Sequence, residues 1–298
     1  MINRVATFAM NRQMLDASMQ TQSRMANMQL QQASGLKSTD YGGLGTDARK
    51  LVDLEVTAER AARYQASATS ALADTDAIYA ALQSINDLLT STRTQVAGVT
   101  GTGISDSAIA SLAANASQAI EELASLLNTR LGDRYLFAGT ATETAPVSLD
   151  EDLTGEVADT SYYTGNAEHL SARVSEQQAI SYGVTAGDMA FAQAFAALTQ
   201  LASATDSTDL TAAYDLLGQA VDGVADSLGR VSTAAAGLER AVAHQQDLTA
   251  FYSEQIVSLR DVDVTEIAAQ LTSYEAQLQA SYAALAKIQS LSLLDYLR

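Results

Sequence analysis

Between residues 208 and 260, apolar side chains recur with a seven-residue period. One row reads Leu210, Leu217, Val224, Val231, Leu238, Gln245, Tyr252 and Leu259, and the interleaved row reads Tyr214, Val221, Leu228, Ala235, Val242, Thr249 and Ile256. Two rows at a and d spacing, interrupted only by Gln245 and Thr249, predict one long helix with a seam against a neighbour. At 1.5 Å per residue it is about 80 Å long, far beyond the helices of compact domains. Gly218, Gly223, Gly229 and Gly237 stand off this seam. Each costs ~1 kcal/mol of helix propensity, so they predict close approach by a neighbouring helix or subunit.

A second seam follows, with Val264, Leu271, Leu278 and Leu285 in one position and Ile267, Tyr274, Ser281 and Ile288 in the other. The intervening "RDVDVTE" offers Asp263 as a helix cap with Glu266 three residues on, which places a break at 261 to 263. Upstream, residues 46 to 97 read as a helix with Leu51, Leu54, Ala58, Leu72, Thr75, Tyr79, Leu82, Leu89 and Val96 on one face, ended by "GVTGTG" at 98 to 103. Residues 105 to 131 form another, started by Ser105 or Asp106 and presenting Ile109, Leu112, Ala116, Ile120, Leu123 and Leu127. The first 34 residues are helix-prone with a softer seam. Six of the seven Met lie there, at 1, 10, 14, 19, 25 and 28, and Arg12 and Gln22 interrupt a strict heptad. Methionine packs adaptably, so this stripe reads as core, including core completed by another molecule.

From Thr140 to Gly187 the helical period vanishes and short β-prone runs alternate with Gly, Asn and Asp turns. The expected fold is mainly α: an elongated antiparallel coiled coil or helical bundle built from both chain ends, with a small inserted β domain. Its expected parts are a terminal coiled-coil core (1–36 and 262–298), a long helical bundle (37–139 and 188–261) and an outward-facing β domain (140–187). The β segment holds eight carboxylates against one Arg, a solvated face rather than a calcium loop, since "DED" at 150 to 152 lacks the Gly and Glu spacing of an EF-hand.

Composition sharpens this picture. There is one Pro, no Trp and 6% aromatic content within 47% hydrophobic residues, so long helices with small, closely packed side chains are favoured. A net charge of −18 repels phosphate backbones and anionic lipid, which argues against nucleic acid or membrane as partner. The absence of Cys suits passage through both reducing and oxidising compartments. The run "VATFAM" after Arg4 is shorter than the ~7 to 15 residues of a secretory h-region, and no run approaches the ~18 of a membrane span. Any export is therefore expected by another route.

Catalytic chemistry is not legible. His169 and His244 have no second His or Cys at metal-ligand spacing, "YGGLGTD" at 41 to 47 has no Lys and reads as a flexible connector, and Glu121 and Glu122 diverge on their helix. No enzyme, metal or cofactor is expected.

Seams at both ends and an apolar "LSLLDYLR" at 291 to 298 imply that the two ends pair and that neighbouring copies complete their cover. The expected assembly residues are Phe8, Leu15, Met19, Val264, Ile267, Leu271, Tyr274, Leu278, Leu285, Ile288, Leu294 and Leu297.

The run "DVDVTEIAAQLTSYEAQLQASYAALAKIQSLSLLDYL" resembles the terminal helix of the bacterial flagellin family, with Asp295 where Asn is usual. "QQASGLKSTDYGGLGTDARKLVDLE" at 31 to 55 resembles that family's Ser-Gly-x-Lys/Arg turn and second helix, with Asp40, Tyr41 and Gly42 replacing its Asp-Asp before Pro or Ala. "GDRYLFAGT" at 132 to 140 and "YYTGNAEHLSARVSEQQAISYGVTAGDMAF" at 162 to 191 are more similar to the family's members at the hook-filament junction. The resemblance implies an extracellular structural protein of the flagellum. It would be exported unfolded through the flagellar type III channel with an export chaperone, and assembled as a homo-oligomeric ring or helix between a neighbouring hook-associated protein and flagellin. A short flagellin that forms the filament itself, and a monomeric helical adaptor with its ends closed within one molecule, are the alternatives.

Overall fold

The computed structural model describes the backbone of residues 2–102, 105–149, 153–157 and 159–296, and their side chains except at 2–8, 11, 100–102 and 288–296. In chain order the elements are α1 (Ile2–Ser34), a 3-10 turn (Tyr41–Leu44), α2 (Asp47–Thr102), α3 (Asp106–Leu127), β1 (Arg130–Leu131), β2 (Arg134–Tyr135), β3 (Ser171–Arg173), β4 (Ala179–Ser181), α4 (Met189–Ala202), α5 (Ser207–Arg260) and α6 (Val264–Tyr296). Strands β1 and β2 form one antiparallel ladder, Arg130 opposite Tyr135, and β3 and β4 another, Ala172 opposite Ile180. The mainly α reading holds. The chain divides into a terminal unit, residues 1–59 and 249–298, and a central unit, residues 60–248.

In the central unit the first predicted row of α5 is the buried one: Leu210, Leu217, Val224, Val231, Leu238 and Gln245. The second row is displaced by one residue. Ala213, Ala220, Ser227 and Ala234 are buried, while Tyr214, Val221, Leu228, Ala235 and Val242 are only half-buried. Small side chains take the line of closest approach because neighbouring helices reach the backbone there, and larger ones flank it. Gln245, which interrupts the apolar pattern, donates through Nε2 to the Val174 carbonyl at 2.9 Å and so is buried with a partner. Of the four helix glycines, Gly223 fits the predicted close approach best: a Cβ there would lie 2.8 Å from the Ala190 Cβ. Glycines at 98 and 101 do not end α2, which runs to Thr102. Val96 is fully buried and Val99 packs on the same core, so tertiary contact outweighs helix propensity there. Helix α3 starts where expected, with Ser105 Oγ accepting from the Ala108 N–H, and buries Ile109, Leu112, Ala116, Leu123 and Leu127. Helix α4, "MAFAQAFAALTQLA", is apolar nearly all round and almost wholly buried.

The 140–187 segment shares the core of these helices. Tyr162 lies against Phe195 with ring centroids 4.3 Å apart and donates its hydroxyl to the Ala186 carbonyl at 3.0 Å. Among its described residues the regular β structure is limited to β3, β4 and a Val147–Tyr163 bridge. Asp74, a buried carboxylate on α2, fastens this segment: it accepts from the Tyr182 hydroxyl at 2.8 Å and faces Arg134 at 3.5 Å. The two quoted loop motifs also meet. Asn166 accepts from the Thr140 N–H at 2.9 Å and donates its own N–H to the Ala138 carbonyl at 3.2 Å, against Gly139 in the left-handed region at φ 67°.

Candidate assembly site

The terminal unit is organised by a turn at residues 34–37 that meets the break between α5 and α6. Gly35 takes φ 71°, letting its N–H return to the Gln31 carbonyl at 2.8 Å and end α1. Beyond it, Leu36 bridges Asp261, the Lys37 N–H donates to the Arg260 carbonyl at 2.7 Å, and the Val262 N–H donates to the Gly35 carbonyl at 3.0 Å. The Lys37 ammonium donates to the Ser258 and Leu259 carbonyls at 2.6 and 3.0 Å. Those carbonyls belong to the last turn of α5, which has no helical partners for them, and the negative end of the helix dipole favours the cation. Helix α6 begins as expected: Asp263 accepts from the Thr265 and Glu266 N–H groups, and these bonds, that of Glu266 foremost, hold its carboxyl below the usual range. Glu266 accepts from Gln270 at 2.9 Å.

The supposed connector at 41 to 47 is a built turn. Asp40 caps the 3-10 turn through the Gly43 N–H at 2.8 Å, and a Cβ at Gly43 would fall 2.1 Å from Ser38 Oγ, so glycine is required there. The Tyr41 hydroxyl donates to Glu55 at 2.9 Å, which raises its pKa above the ordinary value.

From this clamp α1 and α6 pack against each other. On α1 the inward row is Met14, Ser18, Thr21, Met25 and Met28, half-buried except for Ser18, which is buried. One residue round the helix lies a second apolar row, with Leu15, Met19 and Leu30 exposed at 46%, 52% and 65%. Two of the predicted α1 residues, Leu15 and Met19, therefore lie beside the row buried on α6 and are about half exposed. On α6, Ile267 is buried, Leu271, Tyr274, Leu278 and Leu285 are half-buried, and Val264 is exposed. Phe8, Ile288 and Leu294 fall in these helices with side chains outside the description, and Leu297 lies outside the described residues. Among the described residues, Leu51 and Ile267 are the only buried apolar side chains of the terminal unit. Exposed ones include Met10, Tyr41, Val52, Val56, Phe251, Val257 and Tyr282. Isolated apolar residues at a surface need no explanation, but rows of them along helices mark an interaction face.

Sequence reasoning placed Met14, Met25 and Met28 in its methionine stripe but did not separate them from the Met19 row, because Ser18 and Thr21, which complete the inward row, are not apolar. It missed the clamp role of Lys37 because the carbonyls it meets are more than 200 residues away. Among the described residues no three His, Asp or Glu side chains are grouped to hold a metal, and no helix is long and apolar enough to cross a membrane. His169 and His244 are both exposed. An open groove of about 840 Å³ in the central unit is walled by Ile180, Tyr182, Val184 and the Gly229–Gly237 stretch of α5, with His169, Ser181, Asp226 and Arg230 also lining it.

A helical unit with a buried core, and a second unit whose paired end helices leave apolar rows exposed, are what the described residues show. Comparison with known proteins shows what the chain is similar to. Residues 214–297 match the bacterial flagellin C-terminal helical region. The chain is 29% identical over 220 residues to flagellar hook-associated protein 3 of Escherichia coli (strain K12), covering 64% of this chain and 67% of that protein. Its fold is shared with a flagellar hook-associated protein from Vibrio parahaemolyticus, at TM-score 0.60 and 16% identity, covering 74% of this chain and 99% of that one. FlgL of Bacillus cereus aligns with TM-score 0.47 at 16% identity, covering 72% of this chain and 98% of that one. The chain is thus similar to hook-associated protein 3 over about two thirds of its length, and its residues 214–297 match the flagellin C-terminal helical region.

Proposed function

We propose that this chain is a structural axial component of the bacterial flagellum that joins hook to filament. The single observation that carries the reading is the uncovered apolar surface of the α1/α6 pair, in a chain whose residues 214–297 match the flagellin C-terminal helical region and which is 29% identical over 220 residues to hook-associated protein 3. Copies assemble as a ring or helix through these helices, and Leu15, Met19, Val264 and the distal half of α6 contact neighbouring copies. A hook-associated protein lies on one side and flagellin on the other. The chain reaches this extracellular place through the flagellar type III route, with an export chaperone covering its apolar ends, and performs no catalysis. The parts then act as the terminal core, bundle and outward domain expected from the sequence.

The test is co-assembly. Purified chain is mixed with flagellin and the adjoining hook-associated protein of the same bacterium, then followed by sedimentation and electron microscopy. Short end-bound assemblies that need a partner support the junction role. Long filaments of this chain alone would show a filament subunit, a reading favoured by the flagellin match at residues 214–297. A chain that stays monomeric with both partners would be a helical adaptor.

A further inference from the structure

In an uninterrupted helix the N–H groups of residues 262, 263 and 264 would donate to the carbonyls of Ser258, Leu259 and Arg260. At the joint between α5 and α6 all three carbonyls are taken from elsewhere in the chain. The Lys37 ammonium occupies Ser258 and Leu259, and the Lys37 N–H occupies Arg260. The Val262 N–H is drawn the same way, to the Gly35 carbonyl. On the far side of the break only the Asp263 carboxylate acts locally, accepting from Thr265 and Glu266. Helical bonding reaches the break from one side, with the Asp261 N–H on Val257, and resumes on the other, with the Ile267 N–H on Asp263.

The local sequence does not forbid the helix from running through. No Gly or Pro occurs after Gly237, so every residue across the joint can take helical dihedrals and donate its N–H. A cap at Asp263 starts α6 without stopping α5. The apolar pattern, however, changes phase at this point. Carried through unbroken, the two rows of α5 would next fall at Asp263 and Glu266. The rows of α6 begin instead at Val264 and Ile267, one residue on, which is about 100° round a continuous helix. A break frees α6 from the phase of α5, and Ile267 is buried in the terminal unit.

We infer that this joint has two settings, broken and continuous, and that the turn at residues 35–37 selects the broken one by occupying the end of α5. Asp263 decides where the break falls; the turn decides whether it forms. Helix α6 is therefore released from α5 only once the end of α1 has met it, so a single contact between distant parts of the chain sets the level at which the terminal pair begins. The joint behaves this way whatever the chain assembles with.

The test uses the full chain, isotope-labelled, and reads 13Cα shifts at residues 261–263 and amide exchange at Asp263. Gly35→Val, which strains φ 71°, combined with Lys37→Met removes the turn. Helical shifts then run through 261–263, and exchange at Asp263 slows at least about tenfold. Adding Leu36→Cys with Asp261→Cys to that background gives a way back. The two positions face each other as an antiparallel pair, flanked by the Lys37 and Val262 bonds, with Cα atoms about 4.5 Å apart and within disulfide reach. The chain has no cysteine of its own to compete. Oxidation returns the non-helical shifts and fast exchange, and reduction reverses them. Asp263→Ala, with the turn intact, keeps the break. Shifts at 261–263 that stay non-helical in the Gly35→Val, Lys37→Met variant overturn the inference, and so does a helix running through the joint in Asp263→Ala.

Discussion

Gly35 and Gly139 both sit in the left-handed region, at φ 71° and 67°, yet they differ in what a side chain would meet. A Cβ at Gly35 has nothing within 4 Å, whereas one at Gly139 would lie 2.3 Å from Asn166 Oδ1 and 2.4 Å from the Asn166 carbonyl. Gly35→Ala should cost about 1–2 kcal/mol, from backbone strain alone. Gly139→Ala adds overpacking to that strain, and about 2–5 kcal/mol of central-unit stability should be lost in denaturant melts. Tyr182 makes a second prediction. Burial first, and the hydrogen bond to Asp74 second, raise its hydroxyl pKa above the ordinary 10.0. Because the folded value is the higher one, its contribution is full below pH 10 and is lost as pH rises through the folded value. Tyr182→Phe should cost about 1–3 kcal/mol at neutral pH, since Asp74 keeps only Arg134. It should also flatten the alkaline fall in stability, leaving the part due to buried Tyr162, whose pKa is raised as well.

At the scale of elements, the two seams that read alike in sequence differ in completeness. Leu238 on α5 is fully buried, and Leu278 on α6 is half-buried. Leu238→Ala should therefore lower monomer stability by about 2–5 kcal/mol, the usual range for a buried leucine. Leu278→Ala should leave monomer melting nearly unchanged and weaken assembly in sedimentation; equal losses from the two would place the α6 seam inside the monomer fold. The elements also show where sequence pattern ran out. Heptad spacing located α5 and its Leu210-to-Leu238 row because large aliphatic residues announce burial. It misplaced the second row by one residue because alanine and serine carry little hydropathy signal, although Ala213, Ala220 and Ser227 occupy the tightest contacts.

For the whole molecule, charge is as unevenly divided as burial. The central unit holds 23 Asp and Glu against 8 Lys and Arg, while the terminal unit holds 12 against 9. The unit with uncovered apolar rows is thus nearly neutral, and the unit with a finished core carries most of the repulsion. Association should strengthen between about 20 mM and 0.5 M salt, as screening shortens the reach of that repulsion to a few ångströms while apolar contact persists. Sedimentation across that range is the check, and dissociation by salt would mean that ion pairs hold the interface.

The sequence by itself determined the long helices, the break at residues 261 to 263, the Ser105 and Asp263 caps and the apolar character of both ends. These depend on periodicity and on neighbours within one helical turn, so a linear reading reaches them. Only the tertiary structure decided that Asp74 anchors a segment 60 to 108 residues away, that Gly139 packs against Asn166, that Lys37 caps the end of α5, and which row of α1 faces α6. Each of these is a polar or steric match between distant parts of the chain. Such matches leave no period in the sequence, because their free energy comes from desolvated partners and close contact that exist only once the chain has folded.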